Sequence, residues 1–427
     1  MKNKFIKSTL ILIIGGILTK LFSFIIKIYF TRVIGTEGIN IYAIIMPTYS
    51  LLITITQLGF PIAISNIIAK GAKSGKNIIF SVVPISLIIN LFLILIVVFS
   101  AKFLTFNLLH EPKAFFPLIC LSFVLPFISI ASIIRGYFFG KQQMMPHTMS
   151  NILEQFFKFF IVILVLPHLL KYGIVIAVSG YILISIISET LSIIIFLLYL
   201  PKNFTIKKED IKPDTETIKE VLSIGLPSVG GRIIGNIGFF LEPIVLSFVM
   251  LSVGYTSSFV VSQYAIYNTF VIGVLIVPTF FITALATALI PEISKTSYDK
   301  KRTKKIYYKS LSLSLFFGLF ANAFIFIFAE EILQIVFHTT SGVNYIKVLA
   351  CFFIFYYLEA PMASALQSLG YAKYSMKSTT IGIIFKLLFI VILSLFKIGI
   401  YSLIFSEVIF IFVVVISNYY KLKKILN

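Results

Sequence analysis

The sequence has no tryptophan and only two cysteines among its 427 residues. Cys120 and Cys351 lie in separate apolar runs, which excludes a disulfide framework and a cysteine-built metal cluster. Charge is also scarce. Only 12% of residues are Asp, Glu, Lys or Arg, against about a quarter in a soluble domain. Acids are the scarcer sign, 16 against 36 bases. No GxxxxGK[ST], HExxH or GxSxG motif occurs, and the four histidines are scattered. ATP hydrolysis, zinc proteolysis and serine-nucleophile chemistry therefore have no motif to rest on. The expectation is a non-enzyme with no resident metal and no cofactor. A cleavable signal peptide is not expected either: the first apolar run lacks a small-residue cleavage site and continues through Lys20 and Lys27.

What the chain has in excess is apolar surface. Hydrophobic residues make up 59% of it, Phe alone contributes 45, and the mean hydropathy is +1.04. A globular core cannot hide this much, so lipid must be the second solvent. Residues 78–101, 116–134, 174–200 and 401–418 are each long enough to cross roughly 30 Å of hydrocarbon as helix. Runs without alternation argue against a barrel. The fold class is thus all-α: a polytopic membrane protein of about 12 transmembrane helices. Gly, Pro, Asn and Lys clusters place them near 8–31, 40–69, 78–101, 115–139, 149–170, 174–200, 218–250, 263–291, 306–337, 344–369, 376–396 and 398–420. The formal charge of +20 does not point to nucleic acid, because the lysines sit in short loops between spans. They favour one side by roughly four to one, which predicts an even number of spans with both termini cytoplasmic.

The longest polar stretch, 201–217, divides the spans six and six. It reads as a cytoplasmic linker between an N-terminal bundle (1–200) and a C-terminal bundle (218–427). The halves echo each other: FIVIL occurs at 160–164 and again at 389–393, each after a Gly-ended helix, a polar turn and a basic residue, Lys158 or Lys386. An even number of spans per half makes this a parallel repeat. Two six-helix bundles imply a central cavity and alternating access.

Ionisable residues inside the spans carry the functional signal, since each costs about 2.5–3.5 kcal/mol at the bilayer centre on insertion scales. Glu154 and Lys158 stand at i and i+4 and read as a structural ion pair. Arg135 and Lys386 can reach an interface as readily as an interior. Lys20, Lys27 and Arg232 lie mid-span with no acid three or four residues away. A cavity lined by these cations suits an anionic substrate. A small-molecule cation antiporter would use acids instead, with Glu242 or Glu359 as a proton or sodium site. Pro61, Pro126, Pro227, Pro278 and Pro361 are candidate bends.

Several segments resemble one family. RVIGTEGINIYAIIMPTYSLLITITQLGFPIAIS (residues 32–65) is similar to the first loop and second helix of stage V sporulation protein B-type polysaccharide biosynthesis proteins. RGYFFGKQQMMPHTMSNILEQ (135–155), VPTFFITALATALIPEIS (277–294) and LEAPMASALQSLGYAKYSM (358–376) match their fourth-to-fifth, eighth and tenth helices. These proteins belong to the multidrug/oligosaccharidyl-lipid/polysaccharide (MOP) exporter superfamily, together with MATE transporters and the lipid II flippases. The resemblance implies outward translocation of a polyprenyl-diphosphate-linked saccharide across a bacterial cytoplasmic membrane. The implied partners are that lipid-linked substrate, the bilayer and cell-wall synthesis proteins. It also implies that Lys20, Lys27 and Arg32 take the places of cavity-reaching bases, with Lys where Arg is usual. Arg232 is available for a base that family members carry one helix later, and Glu37 matches a first-loop acid. Coupling or gating falls to Glu37, Glu242 and Glu359, driven by membrane potential, H+ or Na+. A membrane-embedded glycan polymerase or a non-transporting scaffold is the rival from another class. The polymerase would need an acid in a sizeable outer loop.

Overall fold

The computed structural model describes residues 2–71, 74–201, 213–296 and 298–426, with side chains from Ile14 onward except at 284, 287, 288 and 291. Among these residues there are sixteen α-helices and no strand. Eleven stretches are long and apolar enough to cross a membrane. The first, Ile14–Lys70, has 57 residues, roughly 85 Å of helix at 1.5 Å per residue. That is almost three hydrocarbon thicknesses. It crosses twice, because α1 (Lys2–Gln57) is broken at Gly35, whose φ of 63° and ψ of −170° lie outside the helical region. The rings of Phe30 and Tyr42 are 4.8 Å apart, although twelve positions in one straight helix would separate them by roughly 18 Å. Only a reversal at Gly35 brings them together. The expected twelve spans are therefore present.

Several helices expected as single rods are interrupted. The second span stops at Leu58 and Gly59, which have φ of 44° and 70°, and resumes as α2 (Phe60–Lys70) with Pro61 in its first turn. The fourth divides into α4 (Phe115–Ser122) and α5 (Leu125–Gly140), again with a proline, Pro126, at the restart. The eighth runs as α9 (Ser257–Ile266), a π-helical turn at Tyr267–Val271, α10 (Ile272–Leu275) and α11 (Thr279–Thr296), with Pro278 at the break. Proline at the start of a helix loses no hydrogen bond, since the first turn has no acceptor for its N–H. The remaining helices are α3 (Gly75–Phe103), α6 (Met145–Leu170), α7 (Ile174–Leu198), α8 (Thr215–Ser252), α12 (Lys300–Ile327), α13 (Ala329–Phe337), α14 (Val343–Ser368), α15 (Ala372–Ser394) and α16 (Tyr401–Leu426). Pro361 lies inside α14 without breaking it.

The chain packs as two compact units, 1–236 and 237–427. Of the expected linker, residues 202–212 lie outside the described residues. The chain re-enters at Asp214, which caps α8 by accepting from the Glu216 and Thr217 amides and gives its own N–H to Ser81 Oγ at 2.9 Å. The first part of α8 thus packs with unit 1. Val221 joins the core of Phe60, Ile64, Val82 and Phe138, and Asn236 Nδ2 donates to Thr54 Oγ1 at 2.7 Å.

Small polar residues are buried among the apolar core while large apolar residues face outward. On α7, Ser185, Ser188 and Ser192 are buried while Ile187, Ile194 and Leu198 are exposed. Lipid offers apolar side chains as good a solvent as the interior does, so small polar residues turn inward, where they allow close packing and interhelical hydrogen bonds. Ser150 and Ser192 bond α6 to α7 in this way.

Candidate functional site: two charged clusters, one in each unit

In unit 1, Lys20, Ser23 and Lys27 stand at i, i+3 and i+7 and share a face of α1. Ser23 Oγ donates to Gln155 Oε1 of α6 at 3.0 Å, which sets this polar stripe beside α6. The two helices approach closely because Gly15 has no side chain; a Cβ there would stand 2.1 Å from Thr148 Cγ2. Lys20 is exposed and Lys27 half-buried. Arg32 is exposed one turn before the break at Gly35. Arg232 is exposed in the middle of α8. All four candidate substrate-binding cations therefore belong to unit 1, three on α1 and one on α8. Glu37 pairs with Lys113, and both side chains are more than half exposed.

Deeper in unit 1 is a cluster that extends the expected Glu154–Lys158 pair. Lys158 Nζ donates to Ser185 Oγ of α7 at 2.9 Å and sits 5.3 Å from the Tyr181 ring centroid. Glu154 accepts from Gln155 Nε2 at 2.9 Å. The hydrogen bonds of the two residues thus go to other partners. Arg135 of α5 lies within electrostatic reach of Glu154, and Glu189 of α7 lies within reach of Glu154, Lys158 and Arg135. Two cations and two carboxylates from three helices balance one another, so none is buried without a countercharge. Arg135 Nε, Glu189 Oε2 and His147 Nδ1 are buried without a hydrogen-bond partner.

In unit 2 the charges converge on one atom. Lys386 Nζ of α15 contacts Glu242 Oε2 of α8 and Glu407 Oε2 of α16. Both carboxylates are buried. Tyr267 Oη donates to Glu407 Oε2 at 3.4 Å, and the Phe410 ring lies 6.0 Å from the ammonium. Glu359, half-buried on α14, is within electrostatic reach of Glu407. Lys386 serves the interior and not an interface.

Comparison with known sequences places this arrangement. The profile of the family described as polysaccharide biosynthesis protein matches residues 5–297, and stage V sporulation protein B of Bacillus subtilis (strain 168) is 33% identical over 402 residues, covering 90% of this chain and 77% of that protein. The chain belongs to the polysaccharide biosynthesis protein family. A MatE profile matches residues 236–392. The lipid II flippase MurJ of the same organism is 22% identical over 428 residues, covering 91% of this chain and 77% of that one. Among solved structures, an inward-facing multidrug resistance MATE family transporter of the MOP superfamily superimposes with a TM-score of 0.76 at 16% identity, over 96% of this chain and 94% of that one. The fold is therefore MATE-like, and the chain is a multi-pass membrane protein of the polysaccharide biosynthesis protein family.

Glu407 of the unit 2 cluster is not among the candidate residues that the sequence offers. Its partner is on the preceding helix, 21 positions away, and the other carboxylate is 144 positions from Lys386. The available signal is a count of charges: a cation placed mid-span by hydropathy needs an acid, an anionic ligand or water at similar depth.

Proposed function

We propose that this chain translocates a polyprenyl-diphosphate-linked saccharide outward by alternating access, with the diphosphate held on Lys20, Lys27 and Arg232 and with Arg32 near the mouth. One observation carries this reading. The four candidate cations all belong to unit 1, where Lys20, Arg32 and Arg232 are exposed and Lys27 is half-buried. A surface cation at mid-membrane depth is tolerated where water or an anion meets it. The prenyl chain needs no polar site and stays in lipid. Lysine contributes a point charge, while Arg232 adds the planar fork that matches a diphosphate. With both termini cytoplasmic, as the lysine-rich loops favour, an inside-negative potential assists outward movement of an anionic headgroup by about 2.3 kcal/mol per charge per 100 mV.

The test is transfer of a lipid-linked precursor across vesicles containing the purified chain. Arg232→Ala and Lys27→Ala are expected to slow it strongly. Normal rates in both would remove the cation assignment. The MatE match over 236–392 favours a second reading, antiport of a small-molecule cation using Glu242 or Glu359. Efflux that needs Glu359 and ignores Arg232 would favour that one. It faces the difficulty that Glu242 is already bound by Lys386.

A further inference from the structure

Two buried carboxylates that face one another need a positive centre between them. In unit 2 that centre is part of the chain. The Lys386 ammonium occupies the gap between Glu242 and Glu407, and Tyr267 Oη stands beside the same carboxylate as a third oxygen.

Close contacts flank the gap. A Cβ at Gly238 would stand 2.5 Å from Ile383 Cγ2, so α8 and α15 touch with no room to spare. A Cβ at Gly382 would stand 2.7 Å from Val414 Cγ2, which fixes α15 against α16. Ser378 Oγ donates to the Val414 carbonyl at 3.3 Å, and Ser394 Oγ to Ser402 Oγ at 3.0 Å. α15 and α16 are thus held together on both sides of the charges, and α8 meets α15 one turn away from Glu242. The charge count is also uneven: one cation serves two carboxylates, with Glu359 a third acid nearby.

We propose that Lys386 is a tethered counter-cation. It does the work of a dissolved alkali ion at a site built from Glu242, Glu407 and Tyr267, so unit 2 keeps its acids paired without loading Na+ or K+. The site for a monovalent cation is latent, and it opens when the ammonium is removed. An ammonium and a potassium ion are similar in size and both are surrounded by oxygens, the ammonium by donating to them and the ion by binding them, so the vacated gap suits an alkali ion. This inference goes beyond the substrate reading and does not depend on it.

The experiment is thermal unfolding of the purified full-length chain in NaCl, KCl, LiCl or choline chloride at equal ionic strength. The wild-type chain is expected to melt at the same temperature in all four. Lys386→Met is expected to melt lower in choline, with a melting temperature that climbs with the logarithm of Na+ or K+ concentration. Lys386→Arg should restore ion independence, and Lys386→Met combined with Glu407→Gln should abolish the ion response. A wild-type chain stabilised by Na+ or K+ over choline overturns the proposal. So does a Lys386→Met chain indifferent to alkali ions, the behaviour expected if a shared proton fills the gap. Should Lys386→Met aggregate on extraction in choline, extraction in NaCl or KCl is expected to return a monodisperse protein. Aggregation in every salt also overturns it.

Discussion

Gly59 and Gly225 meet backbone to backbone at the interruption of the second span. A Cβ on Gly59 would stand 2.4 Å from the Gly225 carbonyl oxygen, and one on Gly225 the same distance from the Leu58 carbonyl oxygen. Gly59 carries a second constraint, a φ of 70°. Gly71 separates the two effects, since its φ is 71° but nothing lies within 4 Å of its would-be Cβ. Gly71→Ala should cost about 1–2 kcal/mol from the left-handed backbone alone. Gly59→Ala should add about 1–3 kcal/mol for forcing the helices apart, and Gly225→Ala should show that second part by itself. Melting temperatures of the three variants, compared under one condition, check the order.

The triad of unit 2 predicts an asymmetry between its members. Removing the ammonium leaves two buried carboxylates facing each other, and breaking a buried pair from one side costs about 3–5 kcal/mol. Removing one carboxylate leaves a neutral pair of one cation and one anion. Glu407→Gln should therefore cost only the lost charged hydrogen bonds, about 1.5–3 kcal/mol. Lys386→Met in choline is expected to melt well below Glu407→Gln. Equal losses would mean that packing, and not charge, sets the stability of this cluster.

Hydropathy made the number of crossings legible, because a bilayer demands one long apolar run per crossing and the chain supplies them. What it left unread is the break. Pro61, Pro126 and Pro278 each follow an interruption, yet Pro84, Pro167 and Pro361 lie inside continuous helices. The difference depends on whether the preceding residues can leave the helix and still satisfy their backbone groups, a tertiary matter. Gly35 is likewise one of 23 glycines, and only the Phe30–Tyr42 contact shows that the chain reverses there. The candidate cations were legible one by one, because a charge inside an apolar run stands out. Their environments were not. Lys158 and Lys386 look alike in the FIVIL repeat, but Lys158 donates to a serine and Lys386 to two acids. Those partners come from other helices, where periodicity along one helix carries no information.

Glu37, expected to act in coupling or gating, is tied to Lys113 with both side chains more than half exposed. Water screens a pair of this kind, and most such pairs contribute little to folding. Lys113→Ala is expected to leave the melting temperature unchanged in high salt. Any effect of Glu37→Gln on transport should then appear without a stability change. A Glu37→Gln chain that melts far lower would instead make the residue structural.

The candidate cations of unit 1 give the sharpest functional forecast. If Arg232 grips a diphosphate, Arg232→Ala removes a charge-assisted contact of about 1.5–3 kcal/mol, which corresponds to roughly a ten- to hundredfold loss of apparent affinity for the lipid-linked precursor. Arg232→Lys keeps the charge and loses the fork, so it should fall between Ala and wild type. Lys27→Arg runs the opposite way: it places a fork where the chain has a point charge, and precursor binding should tighten. Transport assayed against precursor concentration separates these outcomes from a folding defect, because a weakened grip is relieved at high precursor and a damaged fold is not. Raised salt should weaken the wild type more than Arg232→Ala, since the variant has already lost part of the electrostatic term.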